Sequence, residues 1–267
     1  MTRLVLRAEP PLRLSLDGLI PERLAGLSSG EIERLPLRLG NRRGAVGDWF
    51  RVEAGPADLV EISGAGGRLD CIGEGMKAGR IIVAGDAGAY LGRAMRGGSI
   101  SVQGSAGHGA ATALQGGAIH IAGDAGDGLA GALPGATGGM SGGEVRVDGS
   151  AGRGTAHRLR RGLVTIGGAL GPGAAEDMVA GTIVVVGRVA APSGLGMRRG
   201  SLIALGGIER LAPGFADCGP HELIFLRLLG RHLAAGGLAP LAERLARLRR
   251  WVGDRASGGR GELLLPL

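Results

Sequence analysis

Histidine and cysteine are the side chains best suited to bind a transition metal or to act as a general base or nucleophile. The two cysteines, Cys71 and Cys218, share no CxxC spacing. We therefore predict two reduced, packed thiols rather than a zinc site or a disulfide. The five histidines occupy different positions of the repeat described below, so stacked repeats would not gather them into a metal or general-base cluster. They are His108, His120, His157, His221 and His232.

Paired carboxylates and glycine-rich turns are the other candidates for chemistry. Asp86 and Asp124 share one repeat position but lie two units apart, at roughly 10 Å if the units stack like neighbouring strands. That separation is too long for the carboxylate pair of a retaining glycosidase and compatible only with an inverting one. The run 85–88 resembles a dinucleotide-binding turn, but that turn must precede a helix, and here another strand follows. The residues predict no catalytic group and no metal site in this chain.

The composition limits both the fold and the partners. The 267 residues include 56 Gly but only three Phe, two Trp and one Tyr, which excludes an aromatic-centred core. Hydrophobic residues still make up 44% of the chain, which excludes a disordered tail. The net charge is +7, and Lys77 is the only lysine, a bias typical of GC-rich genomes. Since no aromatic residues alternate with the arginines and no long apolar stretch occurs, we expect no nucleic-acid partner, no membrane contact and a cytoplasmic location.

A 19-residue repeat organises the middle of the chain. Its seven units begin at Met76, Met95, Leu114, Met140, Leu159, Met178 and Met197. The third unit is seven residues longer, with its insertion around Ala130–Gly139. Positions four and ten are Gly in every unit, and positions six and eight are aliphatic. Alternation bracketed by glycines predicts one short, half-buried strand per unit, closed at each end by a bend.

Such strands can bury their apolar rows only by stacking on one another. The sequence therefore predicts an all-β fold, a right-handed parallel β-helix, which is a single-stranded solenoid of about 19-residue coils. We assign residues 1–58 to an N-terminal capping segment, 59–215 to the β-helix and 216–267 to a C-terminal helical cap with a closing strand. The run Gly67–Gly73 matches the strand pattern and predicts a shorter first coil. Leucine spacing predicts helices over 223–233 and 238–251, separated by Gly236 and Gly237.

The repeat and the C-terminal residues resemble a known family. The unit Gly-Gly-x-[Ile/Val]-x-[Val/Ile]-x-Gly-x-Ala-Gly, the Met at its boundary, the helical segment, and the closing Gly253-Asp254 and Gly258–Leu264 are similar to the C subunit of formylmethanofuran dehydrogenase. The resemblance covers roughly residues 50–267. The same repeat occurs in the C-terminal domain of the large subunit of glutamate synthase, so it specifies the fold better than the function.

The resemblance also extends to the four-subunit formyltransferase/hydrolase complex of methylotrophic bacteria, which belongs to formaldehyde oxidation. That complex transfers a formyl group from formyl-tetrahydromethanopterin to a methanofuran-type carrier and hydrolyses it to formate. In both complexes the chemistry belongs to other subunits: the metal-dependent hydrolase (the A subunit) and the formyltransferase (the D subunit), or the molybdenum or tungsten subunit of the dehydrogenase. The B subunit is a further expected partner. The resemblance therefore implies a non-catalytic assembly subunit of a hetero-oligomer, with the carrier, tetrahydromethanopterin and metals bound by partner subunits. The alternatives are a β-helix protein of a glutamate synthase-type amidotransferase and an independent binding scaffold.

One group of arginines is a candidate binding site. The carriers of this family bear glutamyl tails, and a polyanionic tail could be held by arginines that flank the starts of the coils. The candidates are Arg96, Arg158, Arg160, Arg161, Arg198 and Arg199. The alternative is that these side chains serve solubility and ion pairs between subunits.

Overall fold

The computed structural model describes residues 1–56 and 58–267. The strands are β1 (Thr2–Leu6), β2 (Leu14–Ser15), β3 (Pro36–Leu39), β4 (Arg42–Ala45), β5 (Phe50–Glu53), β6 (Leu59–Ala65), β7 (Leu69–Asp70), β8 (Arg80–Gly85), β9 (Ser99–Val102), β10 (Ala118–Ile121), β11 (Ser141–Val147), β12 (Arg161–Ile166), β13 (Thr182–Val185), β14 (Ser201–Ala204), β15 (Ala216–His221), β16 (Leu248–Gly253) and β17 (Gly261–Leu265). The helices are α1 (Pro21–Leu24), α2 (Ser29–Glu33), α3 (Val46–Trp49), α4 (Ile224–Ala235) and α5 (Ala239–Arg244). The chain is thus mostly β, with a long, mainly parallel sheet and few helices.

The 19-residue repeat builds the middle of a 13-stranded sheet. Strands β8 to β14 follow one another in chain order, and each pairs in parallel with the next. The register places position six on position six, as in Ile81 opposite Ile100 and Ile100 opposite Ile119. Every side chain at positions six and eight is at most 2% exposed. The predicted strands and their aliphatic rows are confirmed, and each Ile, Val or Leu side chain in these rows stabilises the fold by about 1.5–3 kcal/mol when fully buried.

A second line of contacts connects the same units. Single residues at position twelve form parallel bridges from each unit to the next. They are Ala87, Ala106, Ala125, Ala151, Leu170, Val189 and Ile208. The four alanines are 3–6% exposed, so small side chains fill this narrow part of the core. The chain therefore returns to the same place in each unit along two separate lines.

The two glycines that recur in each unit have different physical causes. At position four, φ is positive in all seven units, between 79° and 111°, which glycine adopts at little cost. The buried position-one side chain of the preceding unit also packs there: a Cβ on Gly117 would lie 2.6 Å from Met95 Cε. At position ten, by contrast, the units stack closely, since a Cβ on Gly104 would lie 2.8 Å from the carbonyl carbon of Gly85. From the second unit onward the bend predicted after each strand is present at position ten, but φ there is not positive, so the close approach of the units and not a left-handed backbone favours glycine.

The strand that precedes the first unit is not the predicted one. Strand β6 lies between β1 and β8, with Val60 opposite Ile81, so it forms the rung before the repeat. The run Gly67–Gly73 instead contains β7, which pairs with β2 in a separate four-stranded sheet. The amide of Gly88 donates to the carbonyl of Leu69 at 2.8 Å, so this run is in register with position thirteen rather than with the strand positions. The predicted shorter first coil is therefore wrong.

The C-terminal region combines helices and strands differently from the prediction. The first predicted helix is α4, but the second ends at Arg244, and Leu248–Gly253 forms β16 between β15 and β17. Strand β17 pairs in parallel with β14 and continues the large sheet. Leu226 and Leu233 of α4 and Leu241 of α5 form a buried cluster with Val184 and Ile203, which occupy the outward-facing position seven. The helices therefore cover the outer face of the last strands and do not close the end of the sheet. Among the described residues, no helix has the length and apolar character needed to cross a bilayer.

Candidate functional site

A row of arginines lies beside the buried corner formed by the position-one side chains. Positions two and three of the later units carry Arg160, Arg161, Arg198 and Arg199, all of them exposed. The backbone amides of Arg160 and Arg198 each donate to the position-one carbonyl of the preceding unit at 2.8 Å. Because the parallel ladder fixes these amides, the arginines of the two units are held along one edge of the sheet, with Val179 and Ala180 of the intervening unit between them.

These arginines line an open groove of about 820 Å³. Its lining residues are Ser141, Arg160, Arg161, Val179, Ala180, Arg198, Arg199, Ser257, Gly258 and Arg260. The structure therefore brings together four of the six predicted arginines. It adds Arg260, whose amide donates to the carbonyl of Arg198 at 2.8 Å. Sequence analysis missed Arg260 because it enters this edge from the closing strand and not from a repeat unit.

The other two predicted arginines are placed differently. Arg158 lines a neighbouring groove of about 400 Å³ that shares Arg160 and Arg198 with the first. Its Nη1 donates to the carbonyl of Ala136 in the insertion at 2.8 Å, and its Nε lies 3.4 Å from Asp177 Oδ2. Arg158 therefore anchors the insertion, and its charge is already partly balanced. Arg96 is exposed at position two of the second unit but lines neither groove.

The groove has a concentrated positive charge. Within residues 1–56 and 58–267, no carboxylate lies within ion-pair distance of any of its five arginines. Guanidinium groups bind carboxylates and phosphates through paired, charge-assisted hydrogen bonds. The arrangement can therefore bind an extended polyanion.

The aspartates at position eleven have a structural role. Asp86 Oδ1 accepts from the amide of Ser105, and Asp124 Oδ1 accepts from the amide of Ser150, both at 2.7 Å. The serines continue the pattern, since Ser105 Oγ accepts from the amide of Asp124 at 3.0 Å. Each side chain thus satisfies a backbone donor of the next unit. The alternation of Asp and Ser at this position was the sequence signal for this ladder.

Comparison with known proteins identifies relatives of this chain, although no family model matches it. It is 41% identical over 91 residues to the C subunit of the formyltransferase/hydrolase complex Fhc of Methylorubrum extorquens, a segment covering 34% of each protein. It is 37% identical over 90 residues to the C subunit of molybdenum-containing formylmethanofuran dehydrogenase 1 of Methanothermobacter thermautotrophicus. That segment covers 33% of this chain and 22% of the relative. In these alignments the chain thus spans about a third or less of the curated relatives.

A solved structure matches the whole chain. The X-ray structure of the complex FhcABCD from Methylorubrum extorquens, in complex with methylofuran, contains a chain with 40% sequence identity and a TM-score of 0.94. The match covers 99% of both chains. The chain belongs to the family of C subunits of formylmethanofuran dehydrogenases and formyltransferase/hydrolase complexes, called the C-subunit family below. The resemblance to the C subunits that the repeat and the closing residues indicated is therefore confirmed.

The histidines of this C-subunit family member lie in several separate places, and His108 and His157 share one open groove with Asp127 and Glu176. His120 Nε2 lies 2.7 Å from Asp148 Oδ2 and His232 Nε2 lies 3.0 Å from Glu144 Oε2, which are separate surface pairs. In the described part of the chain, no group of three His, Cys, Asp or Glu side chains could hold a metal ion.

The two thiols of this C-subunit family member differ in their surroundings. Cys71 is buried, and burial raises the pKa of its thiol. Cys218 is exposed, so the prediction that it is packed is wrong. It lies on β15, the edge strand of the large sheet, at a register shift in the pairing of β15 with β16.

Proposed function

We propose that this chain is a non-catalytic assembly subunit of a multisubunit one-carbon enzyme complex. The complex transfers a formyl group from tetrahydromethanopterin to a methanofuran-type carrier and releases formate, as a step of formaldehyde oxidation. The observation that carries the proposal is the likeness over 99% of the chain to a chain of the formyltransferase/hydrolase complex. The structural use of the position-eleven aspartates supports the non-catalytic part of the proposal, because these carboxylates accept hydrogen bonds from backbone amides of the next unit.

The proposal includes the finer architecture. Two parallel lines of contact at the 19-residue period support a right-handed parallel β-helix of about 19-residue coils. Such a solenoid presents flat, rigid faces on which large partners can dock. We assign the partners to a metal-dependent hydrolase (the A subunit), a formyltransferase (the D subunit) and the B subunit, which hold the carrier, the pterin and the metals. The complex is cytoplasmic in this proposal.

Affinity purification from the native host tests the assignment. The tagged chain is isolated, the co-purifying chains are identified by mass spectrometry, and the eluate is assayed for formate release from formyl-tetrahydromethanopterin. We expect a hydrolase and a formyltransferase together with formate release. Recovery of glutaminase and iron–sulfur subunits would support the amidotransferase alternative, and recovery of the chain alone would support an independent scaffold. Either result would overturn the proposal.

A second proposal concerns the arginine groove, which would hold the polyglutamyl tail of the carrier. Five exposed arginines without a carboxylate partner among the described residues, along about 820 Å³, support it. The test is the double variant Arg198→Glu, Arg199→Glu in the intact complex, compared with Arg42→Glu, Arg43→Glu on the distant β4. We expect the groove variant, but not the β4 control, to lose bound carrier during salt washing. Equal retention of carrier by the wild type and both variants would remove the groove from carrier binding.

A further inference from the structure

Helix α4 has an apolar outer surface in addition to its buried one. Leu226 and Leu233 face the core and are 1% exposed. Ile224 and Leu228, one turn apart on the opposite side, are 78% and 59% exposed. Adjacent large apolar side chains at this level of exposure are typical of interaction surfaces rather than of a solvated helix.

A groove of about 360 Å³ lies next to this outer surface, between α4 and α5. Its lining residues are Glu222, Leu226, Arg227, Gly230, Arg231, Ala234, Ala242, Leu245, Ala246 and Arg247. Leu226 and Leu245, each 1% exposed, form an apolar floor. Gly230 and the three alanines leave room for a side chain of a partner.

The rim of the groove is basic. Arg227, Arg231 and Arg247 surround it and are exposed. Only Arg227 has an ion-pair partner among the described residues, Glu222 Oε2 at 3.5 Å, and both side chains of that pair are mostly exposed. Such a pair contributes little, so it can be exchanged for a partner's carboxylate. Charge complementarity therefore calls for an acidic occupant.

We propose that this surface, made of Ile224, Leu228 and the α4–α5 groove, docks a segment of another subunit in which bulky apolar side chains are flanked by Asp or Glu. The apolar side chains would cover Ile224 and Leu228 and enter the groove, while the carboxylates pair with Arg231 and Arg247. A second copy of this chain fits poorly, because two copies would bring like-charged rims together. The proposal rests on the proposed function only in that the segment belongs to a partner within the same complex.

Photo-crosslinking in the intact complex tests this docking. The crosslinking amino acid p-benzoylphenylalanine replaces Leu228, the complex is irradiated, and the adduct is sequenced by mass spectrometry. We expect one adduct, on a segment of another subunit with apolar residues between Asp or Glu residues. Absence of an adduct, an adduct with a second copy of this chain, or one with a segment lacking acidic residues would overturn the proposal.

A charge-reversal variant gives an independent readout. Leu228→Asp, Arg231→Glu is compared with Leu12→Asp, Arg43→Glu, which makes the same changes on the N-terminal region. Both variants change exposed side chains, so each is first shown to have the wild-type melting temperature. We expect the α4 variant, but not the control, to bind the crosslinked partner at least about tenfold more weakly. If the complex assembles and the α4 variant binds the partner with wild-type affinity, the proposed docking surface is wrong but the proposed function stands. If the wild-type chain binds no partner at all, the proposed function is wrong.

Discussion

Substitution of Gly117 by alanine separates the two physical demands on the position-four glycines. Its φ is +87°, and an added Cβ would lie 2.6 Å from the Gly98 carbonyl oxygen and 2.6 Å from Met95 Cε. A left-handed conformation costs an L-residue roughly 1–2 kcal/mol. Overpacking of a tight site costs roughly 1–3 kcal/mol more. We therefore expect Gly117→Ala to lower the free energy of unfolding by about 2–5 kcal/mol.

Two matched variants divide this cost into its parts. Gly154 has φ +64° with nothing within 4 Å of an added Cβ, so Gly154→Ala tests the conformation alone. Gly126 has no positive φ, but its Cβ would lie 2.9 Å from the backbone of Gly107, so Gly126→Ala tests the close approach alone. Urea unfolding followed by circular dichroism measures all three, and the Gly117 variant should have the lowest midpoint. If Gly117→Ala is no less stable than Gly154→Ala or than Gly126→Ala, the positive φ and the close approach do not both destabilise this variant, which contradicts the prediction.

Three further predictions concern single side chains. Asp124→Ala should lower the free energy of unfolding by about 0.5–1.5 kcal/mol because the amide of Ser150 loses its acceptor. Asp124→Asn keeps a side-chain oxygen and should have a urea midpoint close to that of the wild type. Burial raises the pKa of Asp148, but side-chain hydrogen bonds outweigh it and hold the pKa below its usual value. The ionised Asp148 therefore contributes fully to the free energy of unfolding above the pKa of the unfolded chain, and this contribution is lost as the pH falls through the lower pKa of the folded chain. Asp148→Asn should therefore make the free energy of unfolding decline less steeply in acid, and an unchanged decline would contradict the prediction. Maleimide labelling of the native chain should modify the exposed Cys218 rapidly and the buried Cys71 only after unfolding, and equal labelling rates would show that Cys71 is accessible.

Local pattern was enough to predict the repeat strands but not their surroundings. The glycine and aliphatic spacing predicted rows such as Ile81 and Ile100 because each unit repeats the same local pattern and buries it against its neighbour. Leu248–Trp251 has apolar residues at helical spacing, yet it forms a strand because it pairs on one side with β15, which lies before the two helices, and on the other side with β17. The outward-facing Val184 and Ile203 were the available signal that helices cover that face.

The candidate site was partly predictable for the same reason. Arg160 and Arg198 occupy one repeat position, so their proximity along an edge follows from stacking alone. Arg260 joins them because β17 pairs with β14, with Leu202 opposite Leu263, a register that the repeat does not contain. The engagement of Arg158 by the insertion also depends on a loop conformation that sequence spacing does not specify.

Removal of the chain from its complex tests whether the chain is a non-catalytic assembly subunit. The gene is deleted in the native host, and the remaining subunits are examined for assembly by size-exclusion chromatography and for hydrolase and formyltransferase activity separately. We expect the isolated partners to keep their separate activities, the full complex and its coupled formate release to be lost, and the purified chain to restore both when it is added. Full assembly and coupled formate release without the chain, or catalysis by the purified chain alone, would show that the chain is not a non-catalytic assembly subunit.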